Sequence, residues 1–354
     1  MKLRQVQILL LLVSFGVFSS GRLYAQDPQF TQIYSAPMYL NPAFAGNLEY
    51  DCRRLPASRI KTNMNYRTQY GNDFSTFYAS IDYREKSGRL GLGATFVHDN
   101  YGLAPVSASQ ANLVASFKIP VDIDWQIHTG VQVGFHYRNV NLGRFIFPEQ
   151  ISDHGISASS NANLLKGADA KFIDLGVGGL LFNDKMYVGL AAHHLNSPNQ
   201  SFRGDSASDP LEFRLSVHGG YKFMLSKTKG FKKSRKPEKS ITPTCHFRYQ
   251  KPFKQLEVGT FVNLEPAIFG LWYRGLPFIK SPDGRFNQEA FCLMAGAKLP
   301  TDYGLMRLGI SYDIPMGSNL PYLGSTFELS VGYQFIDERC RKRIVYRRIP
   351  NPDL

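Results

Sequence analysis

The dominant pattern along the chain is a strict alternation of apolar and polar residues. In the stretch DWQIHTGVQVGFHYR (124–138), Val131, Val133 and Phe135 fall on one face of an extended strand. Gln132 and His136 fall on the opposite face. Successive side chains of a β-strand point to opposite faces, so this period of two predicts a strand with one apolar and one polar face. The alternation persists for about fourteen residues, whereas soluble strands usually have five or six.

Fourteen segments of the chain show this alternation, and we predict one strand for each. They are residues 59–67, 75–84, 90–98, 106–119, 124–139, 171–182, 186–195, 212–225, 241–250, 254–264, 267–274, 290–299, 304–314 and 326–336. The segment 267–274 has the weakest pattern, because Trp272 shares its face with Arg274. The predicted fold class is therefore all-β.

The character of the two faces separates a soluble sandwich from a membrane barrel. Half-buried strands alternate in soluble proteins too. Here the apolar faces are Leu, Val, Phe and Tyr in almost every strand, and a barrel of fourteen strands is too wide for side chains alone to fill. We therefore expect an antiparallel transmembrane β-barrel whose apolar face contacts lipid and whose polar face lines the lumen. The polar faces carry Arg84, Lys118, Arg138, Arg214, Lys222, Arg248, Glu257, Lys298, Arg307 and Glu328.

The connections between the predicted strands orient the barrel. One set consists of the short turns EKSG, PVDI, NDK, EP and PTDY, while the other contains the long polar segments 140–170, 196–211, 275–289 and 315–325. Bacterial outer-membrane barrels have short periplasmic turns and long outer loops, and an even strand number places both chain ends in the periplasm. One long connection, residues 226–240, falls on the periplasmic side.

The first 25 residues have the pattern of a secretory signal. Lys2 and Arg4 precede an apolar run of 11 residues from Ile8 to Phe18, which is too short for a membrane helix of about 20 residues. We predict cleavage between Ala25 and Gln26 and residence in the cell outer membrane. The predicted divisions are the signal peptide (1–25), an N-terminal periplasmic or plug segment (26–58), the barrel (59–336) and a basic periplasmic tail (337–354).

The composition and the motifs argue against nucleic acid as a partner and against several kinds of catalytic or metal-binding site. The chain has a formal net charge of +13, but its basic residues are spread along the sequence without a recognition helix, which argues against nucleic acid as a partner. Its four cysteines show no metal-binding spacing. No phosphate loop, HExxH or GxSxG motif is present, and GVGG at 176–179 lies inside a predicted strand, where we interpret it as barrel packing.

The histidines do not predict a shared metal site. His128 and His136 are eight residues apart on one strand, about 26 Å at 3.3 Å per residue. His193 and His194 are adjacent, so they are predicted to point to opposite faces of their strand. We therefore predict no catalytic, cofactor-binding or metal-binding residues, and no enzyme activity.

The stretch QDPQFTQIYSAPMYLNPAFAGN (26–47) closely resembles the opening signature of the PorP/SprF family, QDPQFSQ followed by an aromatic-rich run into YLNPAYAG. Thr31 and Phe44 stand where serine and tyrosine are commoner. GRLGLGATFVHDNYG, DKMYVGLAAHHLNSP and FELSVGYQF are similar to further family segments, so the resemblance covers roughly residues 26–336. The family consists of outer-membrane proteins of the type IX secretion and gliding machinery of Bacteroidetes.

The resemblance implies a non-enzymatic barrel that supports the secretion or surface attachment of cargo with a C-terminal secretion domain. Its implied partners are periplasmic type IX secretion ring proteins and the cargo, in addition to outer-membrane lipid. The alternative is a porin or transporter for small solutes, a hatch-type channel of 14 strands. The charged lumen argues against an apolar solute, because such a solute needs an apolar pocket, but a porin for polar solutes stays open.

The opening segment has two candidate roles. It could dock a partner through rigid aromatic area and an Asn-Pro turn, or it could simply close the lumen. In either role its apolar content predicts that residues 26–46 are ordered against the barrel. The predicted partner-binding residues of this segment are Phe30, Tyr34, Tyr39, Asn41, Pro42 and Phe44.

Two basic segments lie on the predicted periplasmic side. Residues 226–240 carry seven basic residues and one acidic residue, and the tail carries six basic and three acidic residues. They could contact anionic headgroups or dock a periplasmic partner. The predicted partner-binding residues here are Lys229, Lys232, Lys233, Arg235, Lys236, Arg341, Lys342 and Arg343. Cys52 and Cys340 flank the barrel on the same side, and we hypothesise that they form a disulfide in this oxidising compartment.

Overall fold

The computed structural model describes residues 27–48, 59–69, 74–102, 106–122, 124–141, 151–152, 155–156, 169–202, 208–225, 239–280, 286–301, 303–316 and 324–335. The predictions for the signal peptide, for Cys52 and Cys340, and for the tail lie outside these residues. So do those for the basic connection, except for its last two residues.

Fourteen strands in the described part of the chain form one closed antiparallel barrel. They are β1 (Ile60–Gln69), β2 (Phe74–Arg84), β3 (Leu90–Tyr101), β4 (Val106–Pro120), β5 (Gln126–Val140), β6 (Asp169–Phe182), β7 (Met186–His193), β8 (Arg214–Tyr221, continued by Phe223–Met224), β9 (Lys239–Gln250), β10 (Phe253–Leu264), β11 (Ala267–Lys280), β12 (Phe286–Thr301), β13 (Gly304–Pro315) and β14 (Thr326–Phe335). Each strand pairs with the next in sequence, and β1 pairs with β14, with Met64 opposite Val331. The predicted fold class is confirmed.

The two faces of the wall differ as the alternation predicts. Leu113, Val131 and Ile173 on the outer face are 72%, 55% and 59% exposed, which suits contact with lipid chains. On the inner face, Arg307 and Glu328 are buried. An apolar exterior around a charged interior is the arrangement of a membrane barrel and the reverse of a soluble domain.

Strand β11 is longer than predicted, and the positions of its side chains explain why its alternation is weak. It continues to Lys280, beyond the predicted end at residue 274. Trp272 and Arg274 both face the lumen and are buried. The Trp272 ring packs edge-to-face on Phe261 of the neighbouring strand, with ring centroids 4.4 Å apart. The inner face is therefore not uniformly polar, and an aromatic residue can share it with an arginine.

The two ends of the barrel are defined by its connections. We call the end with the tight connections after β2, β4, β6 and β10 the turn side, and the opposite end the loop side. Both ends of the barrel sequence, at β1 and β14, lie on the turn side. By the bacterial rule the turn side faces the periplasm and the loop side faces the exterior. None of the helices among the described residues is long and apolar enough to cross a membrane.

Residues 27–48 lie inside the barrel, and we call them the luminal plug. They form a 3₁₀ turn (Ile33–Ser35), the four-residue helix α1 (Pro37–Leu40) and a second 3₁₀ turn (Pro42–Phe44). Proline occupies the first position of both α1 and the second 3₁₀ turn, where its missing N–H costs no hydrogen bond. The prediction left open a plug in the lumen or a segment across the mouth, and these residues extend through the lumen from the turn side to the loop side.

Candidate functional site

The luminal plug is buried along nearly its whole length. Every residue from Phe30 to Leu48 is buried, including polar ones such as Gln32 and Asn41. Buried polar groups cost free energy unless they are hydrogen-bonded, so the wall must supply their partners. The plug's contacts with the wall therefore form the candidate site.

Asp27 begins the plug at the loop side. Its Oδ2 lies 2.7 Å from both His194 Nε2 and Arg214 Nη1. His194 Nδ1 lies 2.9 Å from Asp174 Oδ1, so the imidazole bridges two carboxylates. Burial alone would raise the pKa of Asp27, but the charges of His194 and Arg214 outweigh it and hold that pKa well below its usual value. Asp27 is therefore an ionised carboxylate held by two cationic groups.

The prediction that His193 and His194 point to opposite faces is wrong. Strand β7 ends at His193, and His194 has a left-handed φ of 59° that turns its ring back toward the lumen. Both rings are buried, with centroids 6.4 Å apart. Side chains alternate between faces only within a strand, and β7 ends at His193, so the rule does not apply to His194. Among the described residues, no group of three His, Cys, Asp or Glu side chains could hold a metal ion.

Glu328 of β14 binds the backbone of the plug. Its Oε2 accepts the Thr31 N–H at 2.7 Å, and its Oε1 accepts the Gln32 N–H at 3.3 Å and the Asn65 side-chain amide at 2.9 Å. The Gln32 side chain donates to the Glu328 carbonyl oxygen at 2.9 Å and accepts from Ser330 Oγ at 2.6 Å. Glu328 thus binds two backbone N–H groups of the plug and, through its carbonyl oxygen, one side-chain amide, which makes it a main anchor of the plug.

A second anchor is a network of charged groups around Thr31. Its hydroxyl donates to Asp313 Oδ2 at 2.7 Å. Arg274 donates to the same Asp313 oxygen and to Glu257 Oε1, each at 2.8 Å, and Arg67 lies 3.7 Å from Asp313. Buried charges are tolerated when they are paired and hydrogen-bonded in this way. The network fixes the wall side chains that the plug contacts.

Aromatic contacts surround the first half of the plug. The Phe30 ring packs edge-to-face on Tyr39 at 5.0 Å and on Tyr78 of the wall at 5.7 Å. The Arg214 guanidinium lies 4.8 Å from the centroid of the Tyr39 ring, and the Tyr39 hydroxyl donates to the Pro28 carbonyl at 2.5 Å. Edge-to-face pairs and cation–π contacts of this kind fix the plug's conformation as well as its position.

Two further aromatic side chains of the plug contact the opposite wall. Tyr34 packs edge-to-face on Phe261 at 5.3 Å, and Phe44 stacks on His218 at 5.6 Å with an interplanar angle of 27°. Burial raises the pKa of the Tyr34 hydroxyl to about 12. Tyr34 and Phe44 thus hold the plug against β10 and β8.

Asn41 makes the central polar contact of the plug. Its side-chain amide donates to the carbonyl oxygens of Gly179 and Leu190, each at 3.1 Å, and lies 3.2 Å from His218 Nε2. Its Oδ1 accepts the Ala43 N–H at 2.9 Å and so caps the second 3₁₀ turn. At the predicted Asn-Pro turn the plug thus also forms hydrogen bonds with the backbone of the wall.

The last residues of the plug contact the turn side. Ser116 Oγ donates to the Ala45 carbonyl at 2.7 Å. The Gly46 N–H donates to Asp82 Oδ2 at 3.2 Å, and its carbonyl accepts from Arg84 Nε at 2.5 Å. Gly46 has a φ of 66°, which a glycine adopts without strain. The plug therefore begins at the loop side and ends at the turn side.

Glycines in the wall make room for the plug backbone. A Cβ at Gly91 would lie 2.3 Å from the Ala45 carbonyl oxygen, and one at Gly130 would lie 2.4 Å from the Ala43 nitrogen. Such distances lie far inside van der Waals contact. Glycine inside a strand often marks a close backbone approach, and here the approaching chain is the plug.

We expect Gly178→Ala to loosen the plug while Gly179→Ala leaves it unchanged. A Cβ at Gly178 would lie 2.0 Å from Asn41 Oδ1, whereas one at Gly179 meets only the His128 carbonyl, at 4.0 Å. Overpacking costs about 1–3 kcal/mol, which predicts roughly fivefold to 150-fold faster hydrogen exchange of the plug amides. Exchange mass spectrometry in detergent or nanodiscs measures this.

The adjacent glycine is a matched control, because each substitution restricts the unfolded backbone equally. Equal exchange rates in the two variants would show that the wall glycine does not hold the plug.

The residues predicted to bind partners have the following positions. The first six are buried in the plug, so their role as partner contacts stays a prediction that requires the plug to move: Phe30, Tyr34, Tyr39, Asn41, Pro42 and Phe44. The eight basic residues lie outside the described residues, as do Cys52 and Cys340. Cys245 and Cys292 have free thiols.

The sequence analysis missed Asp27, Thr31 and Asp313 as site residues. Glu328 was assigned to the lumen, but its role in binding the plug was not foreseen. The one available signal for Asp313 was its place on the polar face of β13, in GLMRLGISYDIP. Pairing across almost 300 residues of sequence leaves no local pattern.

Comparisons with known proteins give a family and a set of barrels. The sequence matches the family model described as "Type IX secretion system membrane protein PorP/SprF" over residues 23–333. No curated protein matches the chain.

The chain is also similar, at low sequence identity, to several solved outer-membrane barrels. The outer membrane protein Omp33 of Acinetobacter baumannii is 7% identical, with a TM-score of 0.45, over 78% of this chain and 98% of that chain. A mutant of the TodX monoaromatic hydrocarbon channel is 12% identical, with a TM-score of 0.49, over 86% and 94%. The KdgM porin is 10% identical, with a TM-score of 0.35, over 77% and 98%.

Proposed function

This chain belongs to the PorP/SprF family of type IX secretion system membrane proteins, and from that premise we propose that it is a plugged, non-enzymatic component of that system. In this role it supports the secretion or surface attachment of cargo with a C-terminal secretion domain and docks periplasmic components. The observation that carries the proposal is the family match over most of the chain.

The filled lumen supports this role over that of a small-solute porin. The plug crosses the barrel, and its polar groups are bound to luminal side chains such as Glu328 and Asp313. A diffusion porin keeps an open water-filled path, which the plug occupies here. A component that holds or positions other proteins needs no such path.

The role is tested by deleting the gene and restoring it on a plasmid. We expect the deletion to reduce the amount of cargo with a C-terminal secretion domain in the medium or on the cell surface, and the wild-type copy to restore it. The Gly179→Ala copy serves as a matched control for a harmless change in the wall. Unchanged cargo in the deletion strain would contradict the proposed function.

The periplasmic contact is tested at the basic connection. We expect serine at its seven basic positions to weaken copurification with periplasmic ring proteins and to make the remaining association less sensitive to salt, because charge attraction is screened by ions. The substituted positions are Lys227, Lys229, Lys232, Lys233, Arg235, Lys236 and Lys239.

A variant that exchanges lysine and arginine at these positions keeps the charge and serves as the control. Recovery of wild-type amounts of partner by the serine variant, across a salt series, would leave the connection as a lipid contact only.

A further inference from the structure

The luminal plug has a defined direction in the barrel. Asp27 contacts Arg214, the first residue of β8, and His194, which follows the last residue of β7. Both positions are on the loop side. At the other end, Gly46 contacts Asp82 and Arg84, which close β2 on the turn side.

The contacts between these ends follow the same direction. Thr31 binds Glu328 and Asp313, which lie near the loop-side ends of β14 and β13. Asn41 binds Gly179, which lies near the turn-side end of β6. The plug therefore crosses the lumen once, with its first residues nearest the exterior and its last residues nearest the periplasm.

A cleft lies beside the first residues of the plug. Asp27 and Pro28 line it together with wall residues that include Tyr101, Arg138 and Gln200. Tyr101 ends β3 on the loop side, and Arg138 donates hydrogen bonds to Gln200 and Tyr101. The cleft therefore places polar side chains of the loop side next to Asp27.

We infer that the mature amino terminus lies at the exterior mouth of the barrel, and that the plug enters the lumen from the periplasm with this end leading. Its leading end is received by a carboxylate-binding site on the wall. That site consists of His194 and Arg214, which hold Asp27 by two contacts of 2.7 Å, with Asp174 behind the imidazole.

The inference rests on the direction of the plug and is independent of the proposed secretion role.

The experiment places a single cysteine at the amino terminus of the full chain in cells. The four native cysteines are replaced by alanine, and a short flexible insert carrying one cysteine, with glutamine first, is placed between Ala25 and Gln26. Intact cells receive a membrane-impermeant maleimide. Lys251→Cys, in the turn after β9, reports the loop side, and Lys86→Cys, in the turn after β2, reports the turn side.

We expect the amino-terminal cysteine to be labelled on intact cells to the same extent as Lys251→Cys, while Lys86→Cys is labelled only after permeabilisation. Labelling of the amino terminus only after permeabilisation, or only after unfolding, would overturn the inference.

Discussion

Removal of residues 27–48 is expected to turn a closed barrel into an ion-conducting one. The plug crosses the lumen and its residues from Phe30 onward are buried there, while the wall strands pair with one another without its help. The wall should therefore stay closed as a cylinder while its charged interior fills with water, as in porins. Single-channel recording in planar bilayers measures the change, with the full mature chain as the reference.

A second variant separates loss of the plug from loss of chain length. In it, a glycine-serine linker of 22 residues replaces the plug, so that the connection to β1 is preserved. This variant should conduct as the deletion does. If both variants remain closed, other parts of the chain seal the lumen. If the intact protein conducts small solutes in a liposome-swelling assay, the porin alternative gains support over a plugged secretion component.

The substitution Glu328→Ala is expected to release the plug at its loop-side half. Glu328 accepts the backbone N–H groups of Thr31 and Gln32, and its loss leaves both without their acceptor in a buried site. A buried unsatisfied donor costs about 1–3 kcal/mol, so the plug should be destabilised by about 2–6 kcal/mol. Plug amides should then exchange about 30-fold faster or more, as measured by mass spectrometry.

Glu289→Ala provides the matched control for this prediction. Glu289 of β12 accepts a hydrogen bond from Gln255 of β10, across β11, and so links two strands of the wall. Its removal should leave exchange of the plug unchanged. Comparable acceleration in the two variants would mean that any lost luminal carboxylate loosens the barrel, and that Glu328 has no particular hold on the plug.

The barrel could be predicted from the sequence because its physical cause is local. Lipid contacts one side of every strand, so apolar residues such as Val131 and Val133 recur at every second position. The same regularity indicated that Arg307 and Glu328 face inward. The extent of β11 was harder to predict, because Trp272 and Arg274 share its inner face and so break the alternation. The Trp272 ring is tolerated there because it packs on the ring of Phe261.

The plug could be predicted only in part. Its apolar content indicated that it is ordered, but nothing in the segment states which wall residues receive it. The pairing of Thr31 with Glu328 depends on closure of β1 against β14, a contact between opposite ends of the chain. The inward ring of His194 depends on one positive φ value just beyond the last residue of a strand. Such features arise from tertiary geometry, and a residue pattern does not record them.

The direction of the plug also decides how a mechanical load would act on it. The sequence joins its last residues to β1 on the turn side, so a periplasmic machine that pulls on this connection loads Gly46 first, against Asp82 and Arg84. The contacts would then break one after another toward Asp27, which needs less force than breaking them together. A pull from the exterior would instead meet the Asp27 ion pairs first and draw the chain taut against its attachment to β1. The barrel would thus yield readily to force from the cell and resist force from the environment.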